Sequence, residues 1–286
     1  MPNPPPAVLA FLRHIAMCNN ARLPGNRVKL RIGNGVIGWV LPDLAAALAG
    51  FSDIAVQKDG LTLSHGGALF EISRTLSDRG FHRWRGETFD VRAAPGGPVL
   101  GQIDRGGLPV FGIAAEGVHV NGLVRREDGL WLWIAKRAAD KALDPGKLDH
   151  IVAGGIPAGL GPNETLVKEA AEEAGIPPEL ARRATPVATI SYAMERPEGL
   201  RRDRLLCYDL IVPEAFEPQP NDGEVSGFEL WPLARAVAAV RDTDAFKFNV
   251  NLVLIDLFLR TGAITSPDAE TLQQAMVAVS LPAERR

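Results

Sequence analysis

The chain has 286 residues, 46% of them hydrophobic and 23% charged, with a formal net charge of −3. This length holds one large domain or two ordinary ones, and the composition is that of a soluble globular protein. The acidic balance excludes a general nucleic-acid binder, which needs a strong basic excess, and no apolar run of about 20 residues is present to span a membrane.

Val8, Phe11, Leu12 and Ile15 recur at helical spacing after a proline-rich start, which predicts a helix over residues 7–18. The same stretch lacks the basic start of a secretion signal, and Arg13 and His14 interrupt its apolar run. Cys18 and Cys207 are far apart without metal-ligand spacing, so free thiols in a reducing cytoplasm are expected. Gly33, Gly35 and Gly38 match the G-x-G-x-x-G pattern of dinucleotide-binding loops, but that motif needs a helix opening at the third glycine. Here Gly38 leads into Trp39-Val40-Leu41-Pro42, strand-like and then broken, and Gly33-Asn34-Gly35 is hairpin-turn chemistry. The prediction is a β-hairpin, then a helix from about Asp43 to Ala49. Strands are expected at Leu61–Ser64 and Ala68–Ile72, with further strand and turn in RWRGETFDVR and the Pro/Gly-rich run after it. His82, Arg83, Trp84 and Arg85 either contact a ligand or form an amphipathic strand edge. Residues 1–114 are thus expected to form a smaller α+β accessory domain.

From Gly117 onward, VHVNGLVRRED and GLWLWIAKRA read as a hairpin. Trp131 and Trp133 take one face of its second strand, and Leu130, Leu132 and Ile134 the other, the pattern of a strand buried on both sides. A glycine-rich loop from Gly154 then enters a helix expected over Glu164–Ala174, with Asn163 as its N-cap and Gly175, Pro177 and Pro178 ending it. At ~100° per residue, Glu169, Glu172 and Glu173 share one arc, and Leu166, Val167, Ala170, Ala171 and Ala174 share the opposite one. Glu169 and Glu173 are like charges at i,i+4, and Glu172 and Glu173 sit at the negative end of the helix dipole. Lys168 offsets one of these charges. A hard divalent cation fits the remainder, and a solvated acidic face is the alternative. Gly154, Gly155, Gly159 and Gly161 let the backbone approach a ligand closely, which favours metal and phosphate together. Beyond the helix, ATPVATISYAME and RLLCYDLIV read as strands separated by the turn-rich RPEGLRRD. DGEVSGFELWPL adds another strand, and FNVNLVLIDLFLRTG is an amphipathic helix ending at Gly262. Such alternation makes an α/β sandwich.

The run from Gly154 to Ile176 resembles the Nudix box, G-x5-E-x7-R-E-U-x-E-E-x-G-U with U aliphatic: Gly154, Lys168 in the Arg position, Glu169, Ala170, Glu172, Glu173, Gly175 and Ile176. Leu160 stands where the first Glu belongs, with Glu164 the nearest acid downstream. The resemblance implies a Nudix-type α/β/α sandwich with a mixed sheet over residues 115–264, followed by a C-terminal helical tail over 265–286. It also implies Mg²⁺, or Mn²⁺ in its place, held by Glu169, Glu172, Glu173 and the backbone carbonyl of Gly154, with a small-molecule diphosphate as substrate. Glu169, Glu173 and Lys168 are the candidate catalytic residues: Glu169 accepts the proton of water, and Lys168 orients the carboxylates. Glu224 is the best acid in a later loop. Lys136, Arg137, Lys141 and His150 are the candidate substrate contacts, with Lys147 and the Arg201, Arg202 and Arg204 cluster as further basic residues. Residues 135–174 and 247–260 are similar to a subgroup that includes the Nudix portion of fungal thiamine pyrophosphokinase. That likeness implies hydrolysis of thiamine diphosphate, especially its oxidised forms, to the monophosphate. A nucleoside diphosphate derivative such as ADP-ribose, and a non-catalytic ligand sensor, are the alternatives.

Overall fold

Two chain-local signals set the first part of the fold, and the computed structural model describes it within residues 6–280, apart from 142 and 266. Helix α1 (Pro6–Cys18) precedes a hairpin of β1 (Val28–Ile32) and β2 (Gly35–Val40). Gly33 takes φ +55° in the two-residue turn between the paired Ile32 and Gly35. A Cβ on Gly38 would sit 2.3 Å from the Phe111 carbonyl oxygen. The glycine triplet therefore serves a turn and a close packing contact, and no helix opens at Gly38. Helix α2 (Pro42–Leu48) follows, with Pro42 in its first turn, where a missing N–H costs nothing. Strands β3 (Ile54–Gln57) and β4 (Gly60–Leu63) complete a sheet in the order β2-β1-β4-β3.

Ala68–Ile72, expected as a strand, lies instead in helix α3 (Gly67–Asp78). Leu69, Ile72, Ser73 and Leu76 are its buried residues, a helical period too long to read in a five-residue window. A two-stranded ribbon of β5 (Thr88–Val91) and β6 (Gly101–Asp104) and the short helix α4 (Leu108–Phe111) complete this unit. His82 hydrogen-bonds Ser73, and Trp84 packs edge-on to Phe70 at 5.2 Å, so the expected ligand contact or strand edge at residues 82–85 is packing against α3.

Strands β7 (Ala114–Arg126), β8 (Gly129–Arg137), β9 (Leu148–Asp149) and β10 (Val152–Gly155) lead into α5 (Pro162–Ala174) and α6 (Pro178–Ala181). Strands β11 (Thr185–Arg196), β12 (Gly199–Ile211) and β13 (Val225–Pro232), then α7 (Leu233–Asp242), α8 (Val250–Arg260) and α9 (Asp268–Ser280), finish the chain. The main sheet runs β11-β12-β7-β8-β13, with β10 on β7 and β9 on β8. It is mixed, because β12 pairs with β7 in parallel and the other pairs are antiparallel. RPEGLRRD turns only at residues 197–198, and Gly199–Arg204 already belong to β12, with Arg196 paired to Gly199.

Alternation along β8 holds as read: Leu132 and Ile134 enter a core with α1, α7, α8 and α9, and Trp131 and Trp133 pack on the opposite core beneath α5. Helices thus cover both faces of the sheet, an α/β/α sandwich. The partners of α1 lie at the far end of the chain: Val8, Phe11 and Ile15 share a core with Val253, Leu257 and Leu272. Neither α7 nor the position of α1 was legible from its own segment. Among the described residues no helix is long and apolar enough to cross a membrane.

Candidate active site

The acidic helix starts earlier than its composition suggests. Pro162 occupies the first helical position and Gly161 is the N-cap, while Glu164 Oε2 accepts the Gly161 N–H at 2.8 Å. Asn163, expected as the cap, is inside the first turn. The helix ends at Gly175, which takes φ +62° and donates its N–H to the Ala171 carbonyl.

Glu169, Glu172 and Glu173 share an arc as expected, yet their surroundings differ sharply. Glu172 is exposed and pairs with Lys168 Nζ at 2.6 Å. Glu169 is partly covered, with a 3.2 Å contact to the same Lys168. Glu173 is only 7% exposed, so it is a correction to the picture of one solvent-facing acidic patch. The packing of α5 on β10 brings Glu173 over that strand, where the Ala153 N–H donates to its Oε2 at 2.8 Å. Burial is the largest influence on Glu173 and pushes its carboxyl well above the usual range; the Ala153 N–H opposes this, and Asp149, Glu169 and Glu224 reinforce it. Burial likewise raises Glu169, against Lys168 and with help from Glu172 and Glu87.

Gly154 lies in β10 directly beneath Glu169. A Cβ there would stand 2.5 Å from Glu169 Cγ and Cδ, so only glycine permits this approach. Its carbonyl oxygen lies beside Gly117 of the neighbouring β7. Beyond Glu173, the loop before β13 adds Asp222 and Glu224, and one carboxylate oxygen from each of Glu173, Asp222 and Glu224 falls within 4.8 Å of the others. Glu224 was singled out from sequence; Asp222 was not, because nothing in DGEV ties it to a helix fifty residues away. Burial pushes Glu224 up, but the hydrogen bond and charge of Lys141, with Arg105 and Arg137, bring it below its ordinary value.

A buried carboxylate with one backbone donor and no ion pair among the described residues is costly unless a cation meets it. Carboxylate oxygens converging on one point suit a hard divalent ion such as Mg²⁺. The donor set therefore fits the metal.

The basic residues expected to meet substrate are arranged differently from one another. Arg137 turns inward, donating to Asp149 Oδ2 at 2.8 Å and to the Leu143 and Asp144 carbonyls, so its guanidinium holds the 143–149 loop. Lys141 pairs with Glu224. Lys136 has the same parity on β8 as Leu132 and Ile134, which places it on the sheet face away from α5. Lys147 bonds the Asp244 carbonyl, Arg201 pairs with Asp203, and Arg204 pairs with Glu116 at 2.6 Å. His150 is 3% exposed, and burial pushes its imidazole down to about 4. It lines a small cavity with Arg137, Asp149, Ala153, Glu173 and Glu224. Behind it, His119 Nδ1 lies 3.3 Å from His150 Nδ1. Burial raises the Asp149 carboxyl, but Lys247, His150 and Arg137 hold it well below the usual range, so this second buried acid already has its cations.

The NUDIX domain matches residues 115–251. Nudix hydrolase 20, chloroplastic, of Arabidopsis thaliana is 42% identical over 198 residues, 69% of this chain and 53% of that protein, so the chain spans about half the length of this relative. Nudix hydrolase 24, chloroplastic, of the same plant is 37% identical over 267 residues, 89% of this chain and 73% of that protein. The crystal structure of DR0079 from Deinococcus radiodurans is similar with a TM-score of 0.47 and 23% identity, covering 59% of this chain and 97% of that one. With the domain match and the extended identity to a relative covered over most of its length, this chain belongs to the Nudix family.

Proposed function

We propose that the chain is a divalent-metal-dependent hydrolase of a small organic diphosphate, with thiamine diphosphate and its oxidised forms as the substrate and the monophosphate and phosphate as products. The observation that carries the reaction class is Glu173, a buried carboxylate that converges with Asp222 and Glu224 and has no ion pair among the described residues. Glu169, Glu172 and Glu173, with the Gly154 carbonyl, would hold Mg²⁺ or Mn²⁺; of these, Glu173 belongs to the convergent set with Asp222 and Glu224, and Glu172 would exchange its Lys168 contact for the ion. The ion supplies neutralisation of phosphate charge and a polarised water when bound.

The chain's own groups do the rest. The Ala153 N–H fixes the Glu173 carboxylate, and Lys168 aligns Glu169 and Glu172 through its two contacts. Glu169, raised above the ordinary carboxyl value by burial, accepts the proton of the attacking water. The absent side chain at Gly154 lets this base lie directly against the sheet. The similarity of residues 135–174 and 247–260 to the thiamine pyrophosphokinase subgroup supports the thiamine assignment. The match over 115–251 supports a hydrolase domain of residues 115–264 after an accessory unit, 1–114, and before a tail, 265–286, with α1 and α9 packed into the hydrolase core and residues 1–5 and 281–286 outside the described residues. Cys18 and Cys207 are buried free thiols, and burial pushes Cys18 up to about 12; unreactive thiols suit a reducing compartment such as the cytoplasm.

The test is phosphate release with Mg²⁺ from thiamine diphosphate, oxythiamine diphosphate, ADP-ribose and NADH, with added phosphatase to reveal monophosphate products. Direct release from the thiamine compounds is expected. Turnover of the nucleotides alone would move the substrate to a nucleoside diphosphate derivative, and silence across the panel would favour a sensor.

A further inference from the structure

The ribbon β5–β6 belongs to the N-terminal unit, yet it closes one side of the candidate active site. The Ala158 N–H of the glycine loop donates to the Thr88 carbonyl at 2.7 Å. Phe89 lies so close to the same loop that a Cβ on Gly155 would stand 2.6 Å from its ring. Two charged residues flank this contact, Glu87 and Arg105, paired at 2.6 Å with side chains 35% and 55% exposed. The pair sits against the glycine loop through Phe89: the Arg105 guanidinium carbon lies 6.0 Å from the centroid of the same Phe89 ring that packs on Gly155.

A buried residue holds the pair in place. Asp104 is fully buried, and its two carboxylate oxygens accept the N–H groups of Arg85, Gly86, Glu87 and Gly106 at 2.7 to 3.2 Å. The segments that carry Glu87 and Arg105 are therefore locked to each other, and the Arg105 N–H also donates to the Glu87 carbonyl at 2.7 Å. An anchored platform of this kind is a means of positioning, since two exposed ionic side chains add little stability by themselves.

Arg105 is paired with an acid of its own ribbon, whereas the other basic residues considered for the site are held by acids of the site itself or turned away. Lys168 holds Glu172, Lys141 holds Glu224, Arg137 holds Asp149, and Lys136 faces the opposite layer. A diphosphate carries more negative charge than metal ligation alone offsets, and a planar guanidinium binds phosphate oxygens in pairs.

We propose that Arg105, supplied by the N-terminal unit, binds the substrate's diphosphate at the mouth of the site, leaving Glu87 for a phosphate oxygen when substrate arrives. This rests on the diphosphate-hydrolase reading above. It gives the N-terminal unit a direct part in substrate recognition, with Glu87 as the group that keeps Arg105 aligned until then.

The experiment is calorimetric binding of the non-hydrolysable inorganic imidodiphosphate with Mg²⁺ to the full chain. Arg105→Ala is expected to weaken binding roughly 10- to 100-fold, the range for hydrogen bonds to a charged group. Arg105→Lys is expected to recover part of that loss. Glu87→Gln frees the guanidinium and is expected to tighten binding about 2- to 5-fold, a gain that disappears in the Glu87→Gln/Arg105→Ala double variant. A purely structural pair predicts that both single variants weaken binding and lower the melting temperature together, and that result would overturn the proposal. So would an Arg105→Ala chain that binds as wild type does while Glu173→Gln does not bind. If Glu173→Gln and wild type behave alike, the hydrolase reading falls and takes the proposal with it.

Discussion

Gly154→Ala isolates the geometry of the acidic site from its charge. The added Cβ meets Glu169 Cγ and Cδ at 2.5 Å and Oε2 at 2.7 Å, whereas ordinary contact begins at 3.4 Å. The Glu169 side chain must retreat by roughly 1 Å, and displacements of that size at a reacting centre cost on the order of 10²-fold in rate. Retreat is resisted, because the side chain is only 17% exposed and is tied to Lys168. The backbone itself tolerates alanine, since Gly154 is a paired strand residue outside the left-handed region. The expected stability loss is accordingly modest, about 1–3 kcal/mol for local overpacking. The assay is kcat and KM with Mg²⁺, beside a thermal melt on the same preparation. A variant that melts as a folded protein and keeps wild-type kcat would refute the placement of Glu169 against β10 as a requirement for catalysis.

Glu173→Gln is expected to raise the melting temperature of the metal-free chain, because it removes a buried uncompensated charge while leaving an oxygen for the Ala153 N–H; activity should fall by about 10²-fold or more, as for loss of one electrostatic contact at a reacting centre. A lower melting temperature for this variant would contradict the burial argument. The pH dependence has a definite sign. A carboxyl raised in the folded state binds its proton more tightly there than in the unfolded chain, so its contribution to stability is greatest below the ordinary carboxylate range and is lost as pH rises through the raised value. The difference in melting temperature between wild type and Glu173→Gln should therefore widen with pH without metal. Added Mg²⁺ should stabilise wild type increasingly as pH rises, and a pH-independent Mg²⁺ effect would refute this. Asp104→Ala should cost about 3 kcal/mol or more in urea unfolding, because it leaves four backbone donors around a fully buried position without their acceptor. A loss under about 1 kcal/mol would mean that water replaces the carboxylate readily.

What the sequence determined by itself was local and periodic. The hairpin turn within Gly33-Asn34-Gly35, the two-faced strand with Trp131 and Trp133, the acidic arc of α5 and the glycine at its C-terminus follow from chain-local rules, and each stands in the structure. The family resemblance extended this to the sandwich. Where a local window was too short, as at Ala68–Ile72, or a proline shifted a boundary, as at Pro162, the reading missed.

Only the tertiary structure decided which of three similar glutamates is buried, since that depends on how α5 lies across β10 and not on its helical spacing. It also decided that Asp222 and Glu224 meet Glu173, that Arg137 faces inward, that α1 joins α8 and α9, and that the ribbon carrying Glu87 and Arg105 borders the glycine loop. The physical reason is the same in each case. Apolar burial is non-directional, so a hydrophobic face specifies that it must be covered without specifying by what. The contacts that shape this site join residues far apart in the chain, and their relative placement exists only once the sheet has formed.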